Sequence, residues 1–171
     1  LEGLFTITQK LYDVSIIEVF DVNTWHKDVR VFKLLDDQQN LQAMFYVDLY
    51  ARDKKRGGAW MDESQIRRKL SDQSIQFPVA YLTCNFQKPI DGQPSLLTHN
   101  DVVTLFHEFG HCLQHMLTKI DYADVSGING VEWDAVELPS QFMENYAWQR
   151  ECLNLIAKHH DTKEPLPELL F

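Results

Sequence analysis

The sequence predicts an α+β, helix-rich fold with a small β-sheet beside one amphipathic helix. Three observations predict it. Val29–Leu34 and Leu41–Tyr50 are apolar-rich runs on either side of a polar turn, the pattern of two paired strands. Pro78–Phe86 is a short apolar run of the length of a buried strand. Asp101–Met116 repeats apolar residues at helical spacing over several turns.

Taken in order, Leu4–Ile17 places Leu4, Ile7, Leu11 and Tyr12 at helix-like intervals and predicts a short helix. Asn23 can cap a short turn leading to Trp25 and His26. Val29–Leu34 alternates as a half-buried strand does, Asp36–Asn40 supplies turn residues, and Leu41–Tyr50 returns as the second strand of a hairpin. Arg52–Gly58 is a charged loop, with Lys54-Lys55-Arg56 read as a solvated turn. Pro78–Phe86 follows as the third strand, then a loop over Pro89–Pro94 containing Asp91-Gly92. Asn100 is placed to cap the Asp101–Met116 helix, with Asp101 favourable to the dipole in its first turn. Ser126–Gly130 is a loop by composition. Asp134 can cap a final helix running to about Ala157, with Glu137 three residues on as its capping-box partner and Pro139 near the start.

Composition narrows the function. The 171 residues suffice for one unit with a real core, taken here as residues 1–171 and read as a piece of a longer chain. A net charge of −9 argues against a nucleic-acid partner, because phosphate contact needs a basic face. No apolar run approaches bilayer-spanning length. The three cysteines, Cys84, Cys112 and Cys152, form no Cys-x-x-Cys pair, so neither a disulfide framework nor a thiolate metal site is expected. A reducing compartment, the cytoplasm, is the simplest setting.

One segment carries chemistry. His107-Glu108-Phe109-Gly110-His111 is a His-Glu-x-x-His sequence inside the strongest helix. Residues four apart lie one turn apart on one helix face, so both imidazoles can converge on one tetrahedral metal ion. Glu108 projects from the neighbouring stripe, where its carboxylate can act as general base on a water without occupying the metal. Gly110 costs the helix about 1 kcal/mol relative to alanine, an expense that close packing by another chain segment would explain.

A catalytic zinc takes three protein ligands and leaves one corner to water. Two neutral histidines and one carboxylate leave a net charge of about +1, which acidifies that water. The third ligand should therefore be a carboxylate from a second helix: Glu137 is the first choice, with Glu132 and Asp134 behind it. Ser140, Gln141 and Glu144 share a helical face with Glu137. Ser140, Glu144 and Asp134 are candidates to accept the second ring N–H of a ligating histidine.

Leu105–His115 together with Trp133–Gln141 resembles the M3 family of zinc oligopeptidases, the thimet oligopeptidase group; Trp25–Arg30, Gly57–Trp60 and Pro78–Tyr81 carry the same likeness. The resemblance covers essentially the whole chain. It implies a zincin-like catalytic core, one Zn2+ per chain held by His107, His111 and Glu137, and Glu108 as the base. It also implies short peptides as substrates, and substrate-binding tyrosines downstream of Phe171.

The expectation is thus a zinc-dependent endopeptidase for short peptides, with no nucleic-acid or membrane partner. The alternative is a zinc-binding fragment with little activity that serves as an interaction module. A third possibility is an exopeptidase, which needs a site for a chain terminus. The edges of Phe45–Tyr50 or Val79–Phe86 are candidates to align an extended peptide. His115, two helical turns beyond His107, lies about 12 Å along the axis, too far to share its ion. It is read as a residue of packing or of support to the site, His26 and His99 as structural, Cys112 as a core thiol and His159-His160 as a solvated helix end. Tyr122 and Tyr146 remain as residues able to approach substrate.

Overall fold

The computed structural model describes residues 1–90 and 92–171. Part of the expected Pro89–Pro94 loop, Asp91, lies outside the described residues. The elements run α1 (Glu2–Tyr12), β1 (Ser15–Val19), β2 (Arg30–Leu35), β3 (Leu41–Tyr50), β4 (Trp60–Gln65), β5 (Arg68–Lys69), β6 (Ile75–Gln76), β7 (Val79–Phe86), α2 (His99–Met116), α3 (Leu138–Glu144) and α4 (Arg150–Ile156). The class is α+β, as the periodicities predict.

Five strands form one mixed sheet in the order β1-β2-β3-β7-β4. The hairpin β2–β3 is antiparallel, as expected, with Phe32 opposite Phe45. β3 and β7 are parallel, and β4 pairs antiparallel with β7. The two strands expected to offer a free edge, β3 and β7, are therefore interior, and the edges are β1 and β4.

One face of the sheet holds the core. Phe32, Leu34, Ala43, Phe45, Val47, Ala80, Leu82 and Cys84 alternate inward with the period of two that a half-buried strand requires. Phe106, Phe109, Cys112, Leu113 and Met116 of α2 are buried within the same cluster. Phe109 meets Phe45 at 5.6 Å between ring centroids, and Phe45 stacks on Phe32 at 5.2 Å. Truncating Phe109 to alanine would cost about 3–5 kcal/mol. This packing seats α2 against the sheet and turns its other face to α3.

Several local expectations fail for identifiable reasons. The predicted Leu4–Ile17 helix stops at Tyr12: Asp13 takes a left-handed conformation (φ 52°, ψ 42°) and its N–H closes on the Gln9 carbonyl. Ser15–Val19, rich in β-branched residues, becomes edge strand β1. The cap of α2 is Thr98 rather than Asn100; Thr98 and Asp101 form a reciprocal capping box. The predicted helix from Asp134 to Ala157 is three pieces. Asp134 lies in a turn and caps nothing, α3 begins only at Leu138, and a 3₁₀ turn over Asn145–Trp148 separates it from α4. Asn145 helps break the run, its side-chain amide donating to the Gln141 and Phe142 carbonyls.

Lys55 is not solvated. Its ammonium donates to Asp48 Oδ1 at 2.8 Å and to the carbonyls of Asp48, Tyr50 and Cys84. Arg52 grips the same carboxylate at 2.7 and 2.8 Å, and the Trp25 indole N–H donates to it at 3.0 Å. Burial alone would raise the Asp48 pKa, but these donors outweigh it and bring it from 3.8 to about 2. A depressed carboxylate contributes stability above its unfolded pKa and loses it as pH falls through the folded value. Asp48 should therefore contribute about 2 kcal/mol that is lost between about pH 4 and pH 2. In urea unfolding across that range, Asp48→Asn is expected to lose that much less stability than the parent; parallel curves would contradict the assignment.

Candidate metal centre

α2 carries His107 and His111 on the face turned toward α3 and Glu108 on the side toward β4. Glu137 stands at the last residue before α3, in a helical conformation (φ −86°, ψ −4°), so the turn Trp133–Glu137 delivers its carboxylate to the histidines. Glu137 Oε2 lies 3.2 Å from His107 Nε2 and 3.0 Å from His111 Nε2. The rings stand nearly perpendicular, 5.0 Å apart between centroids. Among the described residues, this is the one group of three His, Cys, Asp or Glu donors whose atoms all lie within 4.8 Å of one another.

Those spacings fit a metal ion. Two donors bound at 2.0–2.1 Å with tetrahedral angles are about 3.4 Å apart, close to the two separations observed. No cysteine joins the group, so a fourth corner has no protein donor among the described residues. Glu132 and Asp134, the alternatives to Glu137, are outside it.

The supporting contacts are equally specific. His107 Nδ1 is 2.6 Å from Glu144 Oε1. With Nδ1–H donated to Glu144, the Nε2 lone pair is left facing Glu137 and the shared space. Ser140 Oγ lies 2.8 Å from Glu137 Oε2 and 2.8 Å from its backbone carbonyl, tethering the carboxylate. Of the three expected acceptors for a histidine N–H, Glu144 takes that role, Ser140 instead serves Glu137, and Asp134 takes neither. His111 Nδ1 is buried and finds no hydrogen-bond partner among the described residues.

Electrostatics divide the carboxylates of Glu108 and Glu137. Burial pushes the Glu108 carboxyl up, opposed by the charge of His107 and the backbone N–H of Met61. For Glu137 desolvation also works upward, but the Ser140 hydroxyl and both imidazoles outweigh it, so it is held below the usual range. Burial lowers His111, favouring the neutral imidazole that a metal requires, with Glu137 pulling the other way. The site thus pairs an ionised carboxylate at the imidazoles with a more basic one beside them.

Gly110 explains its own presence. A Cβ there would fall 2.6 Å from the Pro139 carbonyl oxygen and 2.6 Å from Ser140 Cα. The helix crossing that brings Glu137 to the histidines needs this residue to have no side chain.

The other histidines sit where packing places them. His99 meets Trp148 edge-on at 4.3 Å, His26 Nδ1 accepts the Asp28 N–H, and His115 is fully buried. Tyr122 is exposed and Tyr146 packs on Phe142. What sequence reasoning missed is β4, whose Met61 N–H reaches toward Glu108. Trp60–Gln65 reads Trp-Met-Asp-Glu-Ser-Gln, with too few apolar residues to show a strand.

A helix offering two imidazoles one turn apart, a carboxylate delivered by the turn before the next helix and a basic glutamate alongside suit a metal-dependent hydrolase. Comparison with known proteins specifies the family: the model of peptidase family M3 matches residues 1–171, and the chain belongs to that family. Oligopeptidase A of Haemophilus influenzae is 57% identical over 168 residues, which is 98% of this chain and 25% of the relative. Oligopeptidase A of Escherichia coli is 56% identical over 170 residues, 99% of this chain and 25% of the relative. A dipeptidyl carboxypeptidase of Salmonella typhimurium is 42% identical over 166 residues, 97% of this chain and 24% of the relative. The chain thus spans about a quarter of the length of these curated relatives.

Proposed function

We propose that this protein is a zinc-dependent endopeptidase that hydrolyses short peptides, with His107, His111 and Glu137 as zinc ligands and Glu108 as the general base. The observation that carries the reading is the single carboxylate oxygen of Glu137 at 3.0 and 3.2 Å from the two imidazole nitrogens. Zinc is favoured because two nitrogens and one oxygen at tetrahedral spacing, with no fourth protein donor among the described residues, are the ligand set of a catalytic rather than a structural zinc. That same open corner weighs against an interaction module built on a closed metal site.

When bound, zinc would supply Lewis-acid polarisation of the scissile carbonyl and acidify the attacking water. Glu108 takes a proton from that water and returns it to the leaving amine. Its buried position, 8% exposed, raises its proton affinity and suits it to that exchange. Glu144 holds the His107 ring and Ser140 holds the Glu137 carboxylate, so little reorganisation accompanies reaction. Glu108 lies beside β4, an edge of the described sheet, where an extended peptide can add as a further strand next to the base.

No helix among the described residues is long and apolar enough to cross a membrane. The net charge of −9 disfavours a nucleic-acid partner. A cytoplasmic setting is proposed from the unpaired cysteines, and one Arabidopsis thaliana relative, 46% identical, is described as a probable cytosolic oligopeptidase A.

The test is zinc-dependent cleavage of short peptides with blocked and unblocked termini. An endopeptidase cleaves the blocked peptides; cleavage only of those with a free carboxyl end would favour the exopeptidase activity for which the Salmonella relative is named. Glu108→Gln is expected to reduce turnover by at least about 100-fold while retaining zinc. Undiminished turnover would remove Glu108 from its role.

A further inference from the structure

We infer that His115 is a positioning residue that fixes edge strand β4 against the metal helix. The inference rests on the reading of β4 as the strand a peptide pairs with. His115 is 0% exposed, yet it is an imidazole in a place a leucine would fill. Its Nε2–H donates to the Gln65 carbonyl at 2.8 Å.

Gln65 is where the β4 ladder is irregular. Glu63 pairs with Ala80 and Gln65 with Val79, so Ser64 is the extra residue of a bulge against β7. A bulge frees backbone groups and bends the strand, and it must be held if the strand is to keep one direction. His115 supplies that hold from α2, two turns below His107. The other end of the same strand is Trp60-Met61, where the Met61 N–H reaches toward Glu108. One imidazole thus sets the position of the edge that runs past the base.

The other side of the ring is enclosed by the Ser126–Gly130 loop. A Cβ at Gly127 would lie 2.7 Å from His115 Nδ1, and Gly127 has a φ of 66°. Gln114 donates to the Gly127 carbonyl at 3.1 Å, and Asn129 donates to Glu63 Oε2 at 2.9 Å. That same Glu63 oxygen lies 3.6 Å from His115 Nδ1, which has no hydrogen-bond partner among the described residues. Strand, helix end and loop therefore meet at His115, and the loop continues into the turn that delivers Glu137.

Hydrogen exchange and zinc titration of the intact chain test this. His115→Leu keeps bulk and removes the donor. It is expected to speed amide exchange in residues 61–66 and 126–130 by about tenfold, leaving the β2–β3 hairpin unchanged. His115→Gln, whose amide can reach the position of Nε2, is expected to restore protection in both segments. Should the leucine variant fail to fold, His115→Asn, too short to reach Gln65, is expected to loosen the same two segments. Unchanged exchange in residues 61–66, faster exchange spread evenly over the hairpin, or no rescue by glutamine would overturn the proposal. Zinc affinity is expected to stay within about threefold in all variants, since no ligand contact of the metal site is altered. Failure of the parent chain to bind zinc would count against the metal site alone, and the exchange data would still judge His115.

Discussion

Glu137→Ala is expected to weaken zinc binding by more than about 100-fold, beyond the 10–100-fold typical of losing a group that only supports a ligand. Among the described residues this carboxylate is the one anionic member of the cluster, and its Oε2 lies near both imidazoles. Its removal leaves two neutral nitrogens, a set that holds zinc poorly and leaves its charge uncompensated. The fold should hardly notice: the Glu137 side chain is 48% exposed, and such changes commonly shift stability by no more than about 0.5 kcal/mol. Competition against a chromogenic chelator, with thermal unfolding as control, reads both effects. Unchanged affinity would send the third ligand elsewhere, with Glu132 and Asp134 the next to replace.

Gly110→Ala carries the second large effect, and its sign is the informative part. In an exposed helix this change stabilises by about 1 kcal/mol. Here the new methyl group meets backbone atoms of Pro139 and Ser140 at 2.6 Å, and backbone cannot swing aside as a side-chain tip can. Forcing such a contact typically costs about 1–3 kcal/mol. Relief comes by moving α3 away from α2, and Glu137, two residues before Pro139, moves with it. The variant is therefore expected to melt several degrees lower and to bind zinc at least about tenfold more weakly. A higher melting temperature with full zinc affinity would show that the helix crossing is looser than the contacts imply.

The parts of this site that were legible in the sequence are those written in local periodicity. His107, Glu108 and His111 need only a helix to be correctly disposed, and the apolar repeat of α2 announces one. Glu137 was expected as the third donor, inside a helix capped by Asp134; its carboxylate does lie against both imidazoles, but the residue stands at the end of a turn, with Ser140 beside it. What stayed hidden depends on distant chain. β4 is polar because it is an edge, so it lacks the alternation that marks a strand, yet it borders Glu108. Lys55 reads as one of three basic residues in a loop, and only the fold of β3 against β7 surrounds it with acceptors. The break after Glu144 is hidden because Asn145-Tyr146-Ala147-Trp148 does not forbid a helix; side-chain bonds back to the preceding turn end it.

The central claim is that one cation is held by two imidazoles and one carboxylate. X-ray absorption at the zinc edge, on chain loaded with one zinc per molecule, tests it most directly. Only nitrogen and oxygen neighbours at about 2.0–2.1 Å are expected, two of them imidazole, with multiple scattering that diminishes in His107→Ala and in His111→Ala. Sulfur at about 2.3 Å, or an unchanged spectrum in both variants, would contradict it.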